Sequence, residues 1–222
     1  MASAVFAPAN AASDAEIIRG FNLTVFGAEF SPFGYQSNYI RKFPGPVRLK
    51  IHNLSKKNRT GEVSDFVRTL NSLINGLTIS TTDTAATANF NVYVVDRADY
   101  ISTAREKVYR RPTATIPGKC IVRSVFTRAG IIRSDAVIVS DGGEALFQRC
   151  MVEEILQGLG PLNEDHSLSE SMFNDLSKHT RFTRFDRTIL NMLYNRRIRN
   201  GASIEAVQDL LPSVLAEAKA RM

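Results

Sequence analysis

The stretch CMVEEILQGLGPLN, residues 150–163, decides how this chain folds. Its apolar residues recur at the three- and four-residue spacing of an amphipathic helix, and its Gly-Pro pair is a strong stop signal. We predict a central helix over residues 144–159. Glu153, Glu154 and Gln157 lie on this helix, which therefore carries two adjacent carboxylates and an amide.

The helix keeps the spacing of the long zinc-protease motif H-E-x-x-H-x-x-G-x-x-H but lacks its histidines. Glu154 falls on the general-base glutamate and Gly160 on the glycine. Glu153, Gln157 and Asn163 occupy the three positions of the zinc-binding histidines. Catalytic zinc of this kind is held largely by histidine nitrogens, so we expect no zinc and no other cofactor. The spacing is that of a zinc-protease helix, but the residues do not form an intact zinc-binding active site.

Four segments carry a resemblance to a known family: residues 21–30 (FNLTVFGAEF), 150–160 (CMVEEILQGLG), 171–175 (SMFND) and 185–194 (FDRTILNMLY). They are similar to a family of uncharacterised exported bacterial proteins, a domain of unknown function that itself resembles the metzincin zinc proteases. The string Glu-Glu-x-x-Gln-x-Leu-Gly is typical of that family. The resemblance implies a metzincin-like α+β fold, with a twisted mixed sheet, an active-site-type helix and a helical C-terminal part. We match Met172 to the methionine-turn position of those proteases. The family usually carries a methionine directly after the glycine matched to Gly201, and this chain departs from that pattern with Ala202.

The rest of the chain predicts one α+β domain over residues 14–222. Its sheet-bearing part extends to about residue 141 and its helical C-terminal part covers residues 162–222. Periodicity predicts helices at 14–27, 62–76 and 97–109, strands at 47–54, 89–95, 119–127 and 131–140, and later helices at 186–194 and from 203, with a break at Pro212. Residues 1–13 (MASAVFAPANAAS) resemble a trimmed signal peptide or a flexible leader.

The composition describes an ordinary globular chain with a basic surface. It has 222 residues, a hydrophobic fraction of 44% and a formal net charge of +6. Basic clusters lie at residues 56–59, 110–111 and 196–199, and we interpret them as solvated surface. Because no aromatic-basic motif of a nucleic-acid module accompanies them, we expect no nucleic-acid partner. No apolar run approaches the roughly 18 residues of a transmembrane span.

The chain has two cysteines, Cys120 and Cys150. An even count allows one disulfide, but both residues also fit buried free thiols, which behave as small hydrophobes. A disulfide between them would suit an oxidising compartment. Together with the leader, this favours a periplasmic or secreted location.

The residues of the central helix allow two kinds of polar site. Glu153, Gln157 and Asn163 offer oxygen ligands that suit Ca²⁺, Mg²⁺ or Mn²⁺ better than zinc. Alternatively, Glu153 and Gln157 form hydrogen bonds that hold the following polar segment to the helix. Glu154 could act as a general base, alone or paired with Asp165.

These features favour a non-catalytic exported domain with a protease-like fold. Its cleft, lined by Glu153, Gln157, Asn163 and Asp165, would bind a peptide, a cell-wall fragment or a protein partner. The alternative is an atypical metallopeptidase-like hydrolase, in which Glu154 is the general base and works with a non-zinc metal or with no metal.

Overall fold

The structure is a computed structural model that describes residues 12–26 and 38–222. Within these residues the chain is an α+β protein with a five-stranded mixed sheet and seven α-helices, so the predicted fold class is confirmed at this level. The strands are β1 Val47–Asn53, β2 Ile79–Thr81, β3 Phe90–Val95, β4 Ile121–Thr127 and β5 Gly130–Val139. The helices are α1 Asp14–Val25, α2 Thr60–Leu73, α3 Tyr100–Thr103, α4 Glu144–Gly158, α5 Arg184–Leu193, α6 Ile204–Gln208 and α7 Leu211–Ala220. The leader up to residue 11 lies outside the described residues.

The sheet has the strand order β2-β1-β3-β5-β4. The pairs β2–β1, β1–β3 and β3–β5 are parallel. The pair β5–β4 is antiparallel and forms the predicted hairpin. The central strands β3 and β5 are mostly buried, and β5 ends in the continuous apolar run 136–139, as expected of parallel strands covered on both faces. Both edges are irregular: β2 has only three residues, and β4 has a register shift between Val125 and Phe126.

Two predicted helices are divided in the structure. The segment predicted as one helix at 97–109 forms a 3₁₀ turn, the short α3 and a π-helical turn, Ala104–Tyr109, that ends where Arg110 takes a left-handed conformation. The last helix is split into α6 and α7 around Pro212, whose missing N–H favours the first turn of a helix over its interior. None of the helices in the described ranges is long and apolar enough to cross a membrane.

A buried arginine and two solvent-accessible carboxylates fix the N-terminal end of α4. The guanidinium of Arg59 pairs with Glu62 at 2.7 Å and with Glu144 at 3.0 Å, and it lies 3.9 Å from the centre of the Phe147 ring. The hydrogen bond from Arg59 lowers the pKa of Glu144 to about 2. Arg59 is only 2% exposed, so its assignment to a solvated basic surface was wrong. Its charge is compensated by the two carboxylates, which is what allows an arginine to be buried.

A disulfide fixes the middle of α4. Cys120, directly before β4, is bonded to Cys150, and their Cα atoms are 5.8 Å apart. The prediction that these two cysteines pair is confirmed, and the free-thiol alternative is excluded. The bridge holds the central helix against the antiparallel edge of the sheet.

A close backbone approach fixes the C-terminal end of α4. A Cβ atom on Gly158 would lie 2.3 Å from Cζ of Phe90, so only glycine lets the helix rest on this ring of β3. On the neighbouring strand β5, Ser134 donates a hydrogen bond from Oγ to the carbonyl of Gly158 at 2.7 Å. The helix that carries Glu153 and Glu154 is therefore fixed at both ends and in the middle.

We expect Gly158→Ala to lower the free energy of unfolding by about 1–3 kcal/mol, because the added methyl group overpacks the contact with Phe90. Urea unfolding followed by circular dichroism measures this change. Gly61→Ala is the matched control: it is also in a helix, but nothing lies within 4 Å of its added Cβ. The control should be neutral or stabilising by up to about 1 kcal/mol. Equal effects in both variants would contradict the packing explanation.

Candidate functional site

The polar residues singled out on the central helix are buried. Glu153, Glu154 and Gln157 are 5%, 5% and 6% exposed. We call residues 163–183 the covering segment. This segment accepts hydrogen bonds from polar side chains of α4. At Glu153 and Gln157, two of the four residues predicted to line a cleft, the side chains are therefore buried where the covering segment meets the helix.

Arg149 connects the helix to the covering segment. Its guanidinium forms an ion pair with Glu153 at 2.9 Å, one helical turn along α4. The same guanidinium donates hydrogen bonds to the carbonyls of Ser177 at 2.9 Å, Asn174 at 3.1 Å and His179 at 3.3 Å. Glu153 thus neutralises and orients the arginine that holds the covering segment in place.

Gln157 makes a second connection to the covering segment. Its Nε2 donates to Oε1 of Glu164 at 2.5 Å. Carboxylate oxygens of Glu153, Glu164 and Asp175 lie within 4.8 Å of one another, so the covering segment brings two further carboxylates to the helix. Neither Glu164 nor Asp175 was singled out from the sequence.

The other two predicted cleft residues make different contacts. Asn163 contacts α1: its Nδ2 donates to the carbonyl of Leu23 at 2.8 Å, and its backbone N–H to that of Thr24 at 3.2 Å. Asp165 accepts hydrogen bonds from the backbone N–H and the hydroxyl of Ser167. These bonds lower the pKa of Asp165 and close a local turn.

Glu154 lies beside the disulfide. Its carboxylate, that of Glu153 and the sulfur of Cys120 are all within 4.8 Å of one another. The sulfur is in a disulfide and offers no thiolate to a metal. Burial raises the pKa of Tyr100, and the negative charge of Glu154 raises it further. The Tyr100 hydroxyl donates to the carbonyl of Pro117 at 2.7 Å, and Glu154 itself is buried.

Asp186, near the start of α5, fixes the other end of the covering segment. This fully buried carboxylate accepts hydrogen bonds from the Ser171 hydroxyl at 2.6 Å, the Thr183 hydroxyl at 2.7 Å and the Met172 backbone N–H at 3.0 Å. Burial raises the pKa of Asp186, and these hydrogen bonds oppose the rise. Met172, at the position matched to the methionine turn, is completely buried in this arrangement.

The carboxylates of Glu153, Glu164 and Asp175 are the group best suited to hold a cation. Three hard oxygen ligands suit Ca²⁺, Mg²⁺ or Mn²⁺. Arg149 already supplies a positive charge to Glu153, so a cation would compete with this guanidinium for the Glu153 carboxylate. These carboxylates could bind a cation, and two of them, Glu153 and Glu164, also form the contacts with Arg149 and Gln157 that close the site.

Comparison with known proteins identifies one family. A family model described as "Protein of unknown function (DUF2927)" matches residues 14–213, which is most of the chain. No curated protein and no solved structure matches it.

Proposed function

We propose that this chain, which belongs to the DUF2927 family of unknown function, is a non-catalytic exported domain with a protease-like fold that binds a partner. The partner is a peptide, a cell-wall fragment or another protein. The domain recognises it and does not cleave it.

One observation carries this proposal: the three positions that match zinc-binding histidines are all engaged within the chain. Glu153 pairs with Arg149 at 2.9 Å, Gln157 donates to Glu164 at 2.5 Å, and Asn163 donates to the Leu23 carbonyl at 2.8 Å. A catalytic metal site keeps one coordination position open to substrate. Hydrogen bonds that close the site favour a structural role for these residues.

The fold and the disulfide support the remaining parts of the proposal. A mixed sheet, a central helix and a helical C-terminal part follow one another, which is the arrangement that the metzincin resemblance implies. The Cys120–Cys150 disulfide supports an exported location, because such bonds persist in oxidising compartments. A partner would contact the outer face of the covering segment, where Leu176 is 74% exposed.

A second candidate function is an atypical hydrolase with Glu154 as general base. It is favoured by the carboxylates of Glu153, Glu164 and Asp175, which lie close enough together to share a non-zinc cation. Glu154 lies within 4.8 Å of Glu153, so a water polarised there would be near a base. This function requires the covering segment to open.

Metal analysis and activity assays separate the two functions. We expect native protein to carry no stoichiometric metal and to leave peptide and peptidoglycan libraries uncleaved. Glu154→Gln, which keeps the shape of the side chain and removes its charge, should then change neither result. Glu153→Ala tests the cation site directly.

Turnover that falls by about 10²-fold or more in Glu154→Gln would overturn the non-catalytic proposal in favour of the hydrolase. Bound metal that is lost in Glu153→Ala would do the same. Clean metal-free protein that is inert on every library would reject the hydrolase instead.

A further inference from the structure

A second site lies away from the central helix, at the C-terminal end of α5. Here a cavity of about 880 Å³ is bounded by the turn after α5, the end of α7 and the residues before β1. We call it the basic pocket and define it by Lys42, Tyr194, Arg196, Arg199 and Arg221, which line it.

The basic pocket has an excess of positive charge. Its lining contains four cationic side chains and one carboxylate, that of Glu217. Glu217 is already engaged, because it accepts from Arg197 at 3.0 Å and from Asn195 at 2.8 Å. Arg196 and Arg199 are exposed, and within the described part of the chain neither has an ion-pair partner. Their charges are available to a ligand.

Lys42 provides a fixed cation in the wall of the pocket. Its ammonium group donates to the carbonyls of Leu193 at 2.6 Å and Asn195 at 3.0 Å, and it lies 5.6 Å from the centre of the Tyr194 ring. Burial lowers the pKa of Lys42 to about 8, so the group is mainly protonated at neutral pH. An ammonium group has three N–H donors, and these two carbonyls use two of them.

The C-terminus of α5 explains only part of the positive charge in the basic pocket. Cations are favoured near a helix C-terminus, and Lys42 satisfies the carbonyl of Leu193, the last residue of α5, in this way. Arg196 and Arg199 add positive charge at the same place without a hydrogen bond to that carbonyl in the described residues. The helix C-terminus does not account for these two guanidinium groups, which indicates that they bind a ligand.

The walls of the pocket are already built. Asn191 donates from Nδ2 to the carbonyls of Leu73 at 3.0 Å and Arg187 at 2.9 Å, and Asn200 donates to the Ala129 carbonyl at 3.1 Å. These amides hold the surrounding turns together. The arginines are therefore the main polar groups left to recognise a ligand.

We propose that the basic pocket binds a small ligand that carries two or more oxyanion groups, either phosphates or carboxylates. The planar guanidinium group matches both kinds of oxyanion with paired hydrogen bonds, and Lys42 contributes a point charge beside them. The size of the cavity suits a ligand of small-molecule dimensions. This site is independent of the partner surface on the covering segment.

Isothermal titration calorimetry on the full chain at physiological ionic strength tests the proposal. The probes are tripolyphosphate for phosphates and citrate for carboxylates, each against sodium chloride of the same ionic strength. We expect saturable one-to-one binding of at least one probe. Binding of tripolyphosphate alone identifies a phosphate ligand, and binding of citrate alone identifies a carboxylate ligand.

Two double variants with the same loss of charge make the test specific. Arg196→Gln with Arg199→Gln should weaken binding at least about tenfold, because two charged hydrogen-bonding groups are lost. Arg110→Gln with Arg111→Gln removes an exposed arginine pair outside the pocket and should change affinity by no more than about twofold.

All four arginines are exposed, so we expect both variants to unfold at the same urea concentration as the wild type. Equal weakening in the two variants would show attraction to overall charge and would overturn the proposal. Failure of the wild type to bind either probe would also overturn it.

Discussion

Asp186→Ala should lower the free energy of unfolding by about 3–5 kcal/mol, because it leaves two buried donors and one half-buried donor without their acceptor. The donors are the hydroxyls of Ser171 and Thr183 and the backbone N–H of Met172. Together they fix the covering segment to α5. Chemical denaturation measures the loss, and limited proteolysis should show faster cleavage within residues 163–183.

Asp186→Asn is the matched control, since it keeps the size of the side chain and one carbonyl oxygen. The remaining oxygen can still accept from Met172 and Thr183, so we expect a smaller loss, about 1–2 kcal/mol. A loss below about 1 kcal/mol in Asp186→Ala would mean that these hydrogen bonds do not hold the covering segment.

Reduction of the Cys120–Cys150 disulfide should cost about 3.5 kcal/mol of stability. The cysteines are 30 residues apart, and the chain-entropy relation gives about this value for a loop of that length. The bond also links the central helix to the edge of the sheet, so its loss should destabilise the helix that carries Glu153. Urea unfolding of the wild type with and without a phosphine reductant measures the effect on one and the same chain.

The double variant Cys120→Ala with Cys150→Ala is the control, and it should not respond to the reductant. Thiol titration of denatured, unreduced wild type should find almost no free thiol. Two free thiols per chain would contradict the disulfide. This result would also remove one support for an exported location.

The sequence predicted the elements of the fold well where periodicity was strong. The apolar spacing around Phe147 and Ile155 predicted the central helix, and Pro212 predicted the division of the last helix. The segment 97–109 was less predictable, because its 3₁₀, α and π turns share similar local patterns and are set by packing against β5. Burial of Arg59 was also missed: Glu62 is three residues away, but the second partner, Glu144, is 85 residues away in sequence.

The site was predicted only in part. Glu153, Glu154 and Gln157 were found because they lie on one helix, where spacing determines direction. Glu164 was missed in favour of its neighbours Asn163 and Asp165, because irregular backbone gives no such periodicity. Arg149 could have been found, since an arginine four residues before a glutamate on a helix is a recognisable ion-pair pattern.

The two irregular edges of the sheet have a consequence for the behaviour of the protein at high concentration. An exposed edge strand with regular hydrogen-bonding groups is a template for aggregation with other chains. At one edge, β2 is only three residues long. At the other, the shift between Val125 and Phe126 interrupts the regular register of β4. Within the described residues neither edge offers a long, flat strand, so the parallel core of the sheet is shielded from edge-to-edge pairing between molecules.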